Sequence, residues 1–137
     1  MVDIIPTAPL FLADCTVTLG TDSYQAAVSS AVFTPSTPAP VVYKGLTPTA
    51  KWTRQGLADW TLDLTFVQDP DTETSLSNYL HDHEGEQVTA VFEPNNGESS
   101  WTADINLAAG ALGGAVETWG TSTVSMSSSK PERTPAA

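Results

Sequence analysis

The segment DWTLDLTF, residues 59–66, alternates without a break: Trp60, Leu62, Leu64 and Phe66 fall on one side, and Asp59, Thr61, Asp63 and Thr65 on the other. A period of two marks a strand with one face on a core and the other in water. Two further segments repeat it. ADCTVTLG (13–20) sets Cys15, Val17 and Leu19 against Thr16 and Thr18, and WTADINL (101–107) sets Trp101, Ala103, Ile105 and Leu107 against Thr102, Asp104 and Asn106. Weaker strand patterns span 24–33, 41–46, 50–54, 87–94 and 115–126. Turn chemistry separates them: TDS at 21–23, the stiff TPSTPAP loop at 34–40, the Asn-Gly hairpin signal in NNGESS (95–100), and the glycine-rich AAGALGG connection at 108–114.

One segment breaks the strand pattern. In DPDTETSLSNYLHDHEGE, Leu76, Tyr79, Leu80 and His83 recur at helical spacing. Asp69 is placed to cap this helix, Pro70 suits its first position, and Gly85 suits its end, giving an expected helix over about 70–84. A helix that short is marginal alone, so its stripe must dock on a sheet. Strands, one helix, then strands imply a mainly β fold: an antiparallel β-sandwich or partly closed barrel with one flanking α-helix. With 137 residues, one domain over 14–126 is expected, preceded by an N-terminal arm (1–13) and followed by a flexible C-terminal tail (127–137).

Charge narrows function. The chain has 16 acidic and 5 basic residues, a net of -11. That excludes a free nucleic-acid binder or a protein of anionic membranes, both of which need lysine and arginine. The lone Cys15 permits no internal disulfide and alternates with apolar neighbours, which reads as a buried inert thiol. Asp3, Pro6 and Pro9 spoil the N-terminus as a signal peptide, and no apolar run reaches the roughly 20 residues of a membrane span, so a soluble chain folded in a reducing cytoplasm is expected.

Catalytic chemistry finds little footing. His81 and His83 sit beside Asp82 and Glu84. Helical residues two apart point roughly 200° from each other, so the two imidazoles cannot share one ion on a helix. No nucleophile elbow, supported Cys-His pairing or phosphate loop is present, so no catalytic residue, metal or cofactor is assigned. The tryptophans at 52, 60, 101 and 119 allow a carbohydrate platform, but Trp60 and Trp101 alternate with aliphatic residues and read as core. Between Arg54 and Lys130 there is no lysine or arginine, while the preceding ones cluster at Lys44, Lys51 and Arg54. The plain reading is solubility. The functional one is self-complementarity, a basic hairpin meeting the acidic surface of another copy.

VVYKGLTPTAKW (41–52), the block from Trp60 to Pro94, and GALGGAVETWGTSTVSM (110–126) together resemble the tail tube subunit, or major tail protein, of long-tailed non-contractile bacteriophages, particularly those of actinobacteria. The resemblance implies a β-sandwich with one helix, six-membered rings stacked into a hollow tube, and inner strands of all copies joined around a channel for DNA. It implies no cofactor and no enzymatic step. The expected partners are other copies of the chain, a tape measure protein, a tail terminator and passing double-stranded DNA. The place would be the virion tail, after synthesis in the host cytoplasm. A wall of carboxylates and hydroxyls would let DNA pass without sticking. Alternation nominates Asp59, Thr61, Asp63, Thr65, Thr102 and Asp104 as channel-lining, and Lys44, Lys51 and Arg54 as inter-subunit contacts. Rival expectations are a head decoration or tail-terminator protein, and a carbohydrate-binding or adhesin module.

Overall fold

The structure, a computed structural model, describes residues 2–6, 9–12, 14–95 and 99–135. The chain runs β1 (Thr16–Leu19), β2 (Asp22–Ser23), β3 (Val28–Ser36), β4 (Val41–Lys44), β5 (Lys51–Arg54), β6 (Asp59–Val67), α1 (Leu76–Asp82), β7 (Gln87–Glu93), β8 (Ser100–Asn106), β9 (Thr121–Ser128) and β10 (Glu132–Thr134). The main sheet has the order β2-β1-β7-β8-β9-β6-β3, all neighbours antiparallel, with β10 also paired to β8. The Asn96-Gly97 turn expected between β7 and β8 lies outside the described residues.

The path folds on itself at one weak join. β8 and β9 pair only at Ile105 and Ser128. β1-β7-β8 on one side and β9-β6-β3 on the other therefore act as two layers of a sandwich, with Phe33 of β3 edge-on to Phe92 of β7 across the gap, ring centroids 6.5 Å apart. Among the described residues no closed barrel forms, and β2 and β3 end the path. Alternation does its expected work in the core: Leu62, Leu64 and Phe66 of β6 are buried with Val17, Leu19, Ile105, Val124 and Met126. Each such side chain contributes about 1.5–3 kcal/mol by leaving water.

α1 closes one end of this sandwich, pushing Leu76 and Leu80 into the core. It is shorter than expected. Its cap is Ser75, not Asp69, and Pro70 lies in the preceding turns. Local side-chain bonds explain the delay: the Asn78 amide donates to the carbonyls of Pro70 and Thr72 (3.0 and 2.9 Å), and Ser75 Oγ donates to that of Asp69 (2.6 Å). These bonds occupy the backbone that a longer helix would need. Gly85 follows the helix at φ 88, where glycine carries no Cβ penalty.

Three further boundaries differ. Residues 24–27 turn rather than extend, and β3 instead runs on through Pro35. Proline is tolerated there because β3 is an edge strand with no ladder on its far side. The last strand starts at Thr121, later than 115, and continues to Ser128. The tail is not wholly loose, since Glu132–Thr134 pairs with Ser100–Thr102. β9 meets β8 only at Ile105, which leaves the early half of that strand edge open for β10 to cover.

Candidate assembly surfaces

The polar positions of the alternating strands point outward from both layers. Asp63 lies between β3 and β9, where its carboxylate accepts from Ser125 Oγ (2.5 Å) and Thr34 Oγ1 (3.5 Å). Thr65 bonds Thr123 at 3.1 Å, and Thr61 donates to the Thr34 carbonyl. In the other layer, Asp104 accepts from Thr89 Oγ1 at 3.0 Å, and Thr102 stands beside Glu132 of β10. Asn106 donates to Ser127 Oγ at 2.8 Å across the β8–β9 corner. Asp59 is exposed at the start of β6. Asp59, Thr61, Asp63 and Thr65 therefore lie on the outward side of one layer and Thr102 and Asp104 on that of the other, so the six nominated channel residues do not share one face, because facing layers turn their polar sides in opposite directions; the strands that carry them, β6 and β8, contain no lysine or arginine. Hydroxyls hold the Asp63 and Asp104 carboxylates in place but neutralise neither.

The basic trio sits elsewhere. β4 and β5 form a separate two-stranded sheet, set between the end of β3 and the start of β6, with every residue exposed. Lys44 stands directly opposite Lys51, and Val41 opposite Arg54. Like charges facing each other across a ladder destabilise it. Its cross-strand apolar support is the pair Tyr43–Trp52, centroids 5.7 Å apart, with Trp52 63% exposed. Among the described residues, no lysine or arginine lies within ion-pair distance of a carboxylate. An isolated hairpin is at best marginally stable in water, and among the described residues no further strand pairs with this one.

The same end of the sandwich is open. A cavity of about 710 Å³ enters between the layers, walled by Phe33, Phe92, Trp60 and Trp101, with Leu10 and Leu12 of the N-terminal arm and Lys130 at its margin. Trp60 and Trp101 are half-buried and line this cavity, a correction to their reading as core. Alternation places a residue on a face, but both tryptophans stand at the second position of their strands, beyond the depth at which the layers meet. Sequence reasoning missed this cavity; two large aromatics at matching strand starts were the available signal.

At the helix end the two histidines are accounted for without a ligand, while Ser122 Oγ, buried opposite Phe66, has no hydrogen-bond partner among the described residues. His83 stacks on Tyr79 (4.7 Å) and its Nδ1 pairs with Glu86 Oε2 at 2.5 Å, while His81 is exposed. No three ligand side chains converge among the described residues. Tyr24 packs against Tyr79 at 5.5 Å. Burial, reinforced by Asp22 and Tyr79, pushes the Tyr24 hydroxyl from 10.0 up to about 12, and burial raises that of Tyr79 as well. Cys15 is half-buried rather than buried. A scan against protein-family models finds no match, and a comparison with curated proteins finds none either.

Proposed function

We propose that this chain is the structural subunit of a bacteriophage tail tube, assembling as stacked rings of six around an acidic channel that conducts double-stranded DNA. The observation that carries the reading is the β4–β5 hairpin: fully exposed, with opposed lysines, and detached from the core of its own copy. Such an element becomes stable against an acidic surface, and other copies of this chain supply one at net charge -11. The edge strand β3 adds support. It is long, uncharged and, among the described residues, unpaired on one side, an edge that invites aggregation unless a neighbour pairs with it.

Lateral pairing of such edges would join the outward polar faces into one wall. With the β9-β6-β3 layer turned inward, Asp59, Thr61, Asp63 and Thr65 would face the bore and repel phosphate without offering counterion release, while Thr102 and Asp104 would face the tube exterior. No step is catalytic. The tape measure protein would occupy the channel before DNA and the terminator would cap the stack.

Lys51→Glu with Arg54→Glu tests the hairpin assignment. The expected result is a folded monomer, with unchanged circular dichroism, that no longer sediments as polymer. Long tubes from that variant would overturn the assignment. Closed trimers or single rings from the native chain would favour a decoration or terminator protein, and a monomer whose tryptophan fluorescence a glycan quenches would favour the adhesin reading.

A further inference from the structure

Two apolar features lie at opposite ends of the sandwich, and among the described residues each is left open to solvent. One is the cavity between the layers, flanked by Lys130. The other is the loop over 108–120, whose Leu112, Val116 and Trp119 are 76%, 90% and 89% exposed. Trp60 borders the cavity and Gln68 borders the loop, so β6 separates them by about 25 Å at the usual rise per residue.

The loop is held, not slack. Gln68 Nε2 donates to the carbonyls of Gly113 (3.0 Å) and Thr121 (2.9 Å), its Oε1 accepts from the Gly113 amide (2.8 Å), and its own amide donates to Gly120 (2.8 Å). Gly110 packs so closely that a Cβ there would lie 2.5 Å from Ser122 Oγ and 3.1 Å from Phe66. Fixed at both ends, the loop presents its apolar residues to solvent in a set geometry. Between them, Glu117 adopts φ 63, a left-handed conformation costly for a residue with a Cβ, and it is the only non-glycine residue with positive φ among those described. It is also the only charged residue between Asp104 and Lys130.

We infer that Leu112, Val116 and Trp119 of one copy seat in the open-end cavity of the next, with Glu117 set against Lys130. Charge complementarity selects a second copy as the occupant: an apolar knob with one carboxylate matches an aromatic cavity with one ammonium. The cavity volume falls in the range of about 300–1,000 Å³ that accepts a compact apolar body. Because knob and cavity lie at opposite ends, each contact leaves a free knob and a free cavity, and the contact propagates. The inference rests on the tail-tube reading and names the seam between successive rings.

The test is sedimentation and negative-stain imaging of the native chain beside Val116→Ser/Trp119→Ser, Glu117→Lys, and Glu117→Lys with Lys130→Glu. The knob variant is expected to keep its melting temperature and raise the concentration needed for stacking about 10-fold or more, since buried aromatic anchors dominate such contacts. Single rings that fail to stack would support the seam. Glu117→Lys is expected to weaken stacking and the swapped pair to restore it. If the native chain makes tubes and the knob variant makes them equally well, the seam is overturned while the tube reading stands. If the native chain makes no polymer at all, both fall.

Discussion

The two ends of this sandwich are built from equally regular strands, yet at one a helix fills the gap between the layers and at the other the gap stays open. At the helix end, Leu76 and Leu80 fill the gap between the layers, Tyr24 and Tyr79 pack together, and Gln68 secures the neighbouring loop. At the other end, Trp60 and Trp101 line an open cavity, the arm passes along its wall, and the hairpin stands free with its charges unmatched. The difference teaches that hydrophobic alternation specifies the layers but not their closure. A helix in the chain closes one end, and at the other the described residues leave the layers apart, which is where we propose a second copy sits.

Substitutions should sort by end. The largest loss is expected from Leu80→Ala, which empties a fully buried site under the helix. About 2–5 kcal/mol should disappear from the stability of the monomer, measured by denaturant unfolding. A loss below 1 kcal/mol would mean that the helix end is as loose as the other.

The next effect is alkaline. Tyr24 has its folded value raised from 10.0 to about 12 by burial, with Asp22 and Tyr79 adding to it. The neutral phenol is therefore favoured in the folded state. Its contribution is fully present below pH 10 and is lost as pH rises to about 12. Unfolding curves across that window should show the loss, and Tyr24→Phe should flatten most of it. An unchanged slope in the variant would remove Tyr24 as the cause.

The smallest effect is expected at the open end. Trp52→Ala removes a large side chain from an exposed hairpin and should change monomer stability by less than about 0.5 kcal/mol. The same substitution should impair assembly. A monomer destabilised by several kcal/mol would show that the hairpin docks on its own body after all.

Much of this was readable before the fold. The alternation of β6 located its core and its polar face, but alternation does not say which layer a strand joins, and Thr102 and Asp104 of β8 fall on the layer opposite Asp63. Lys44, Lys51 and Arg54 do lie on a hairpin. What stayed hidden depended on partners distant in sequence. Glu132–Thr134 has no strand signature of its own and is recruited by the open edge at Ser100–Thr102. The start of α1 was displaced by the side chain of Asn78, a bond that periodicity does not register. The exposed trio Leu112, Val116 and Trp119 sits in a glycine-rich stretch that reads as slack until Gln68, far back in the chain, is seen holding it.

The decisive measurement is imaging and sedimentation of the purified native chain over rising concentration. Stacked rings with a hollow bore, growing with concentration while amide exchange slows in β3 and across 41–54, are the expected result. A species that stays monomeric at every concentration, with those amides already protected, would contradict the claim that other copies complete this fold.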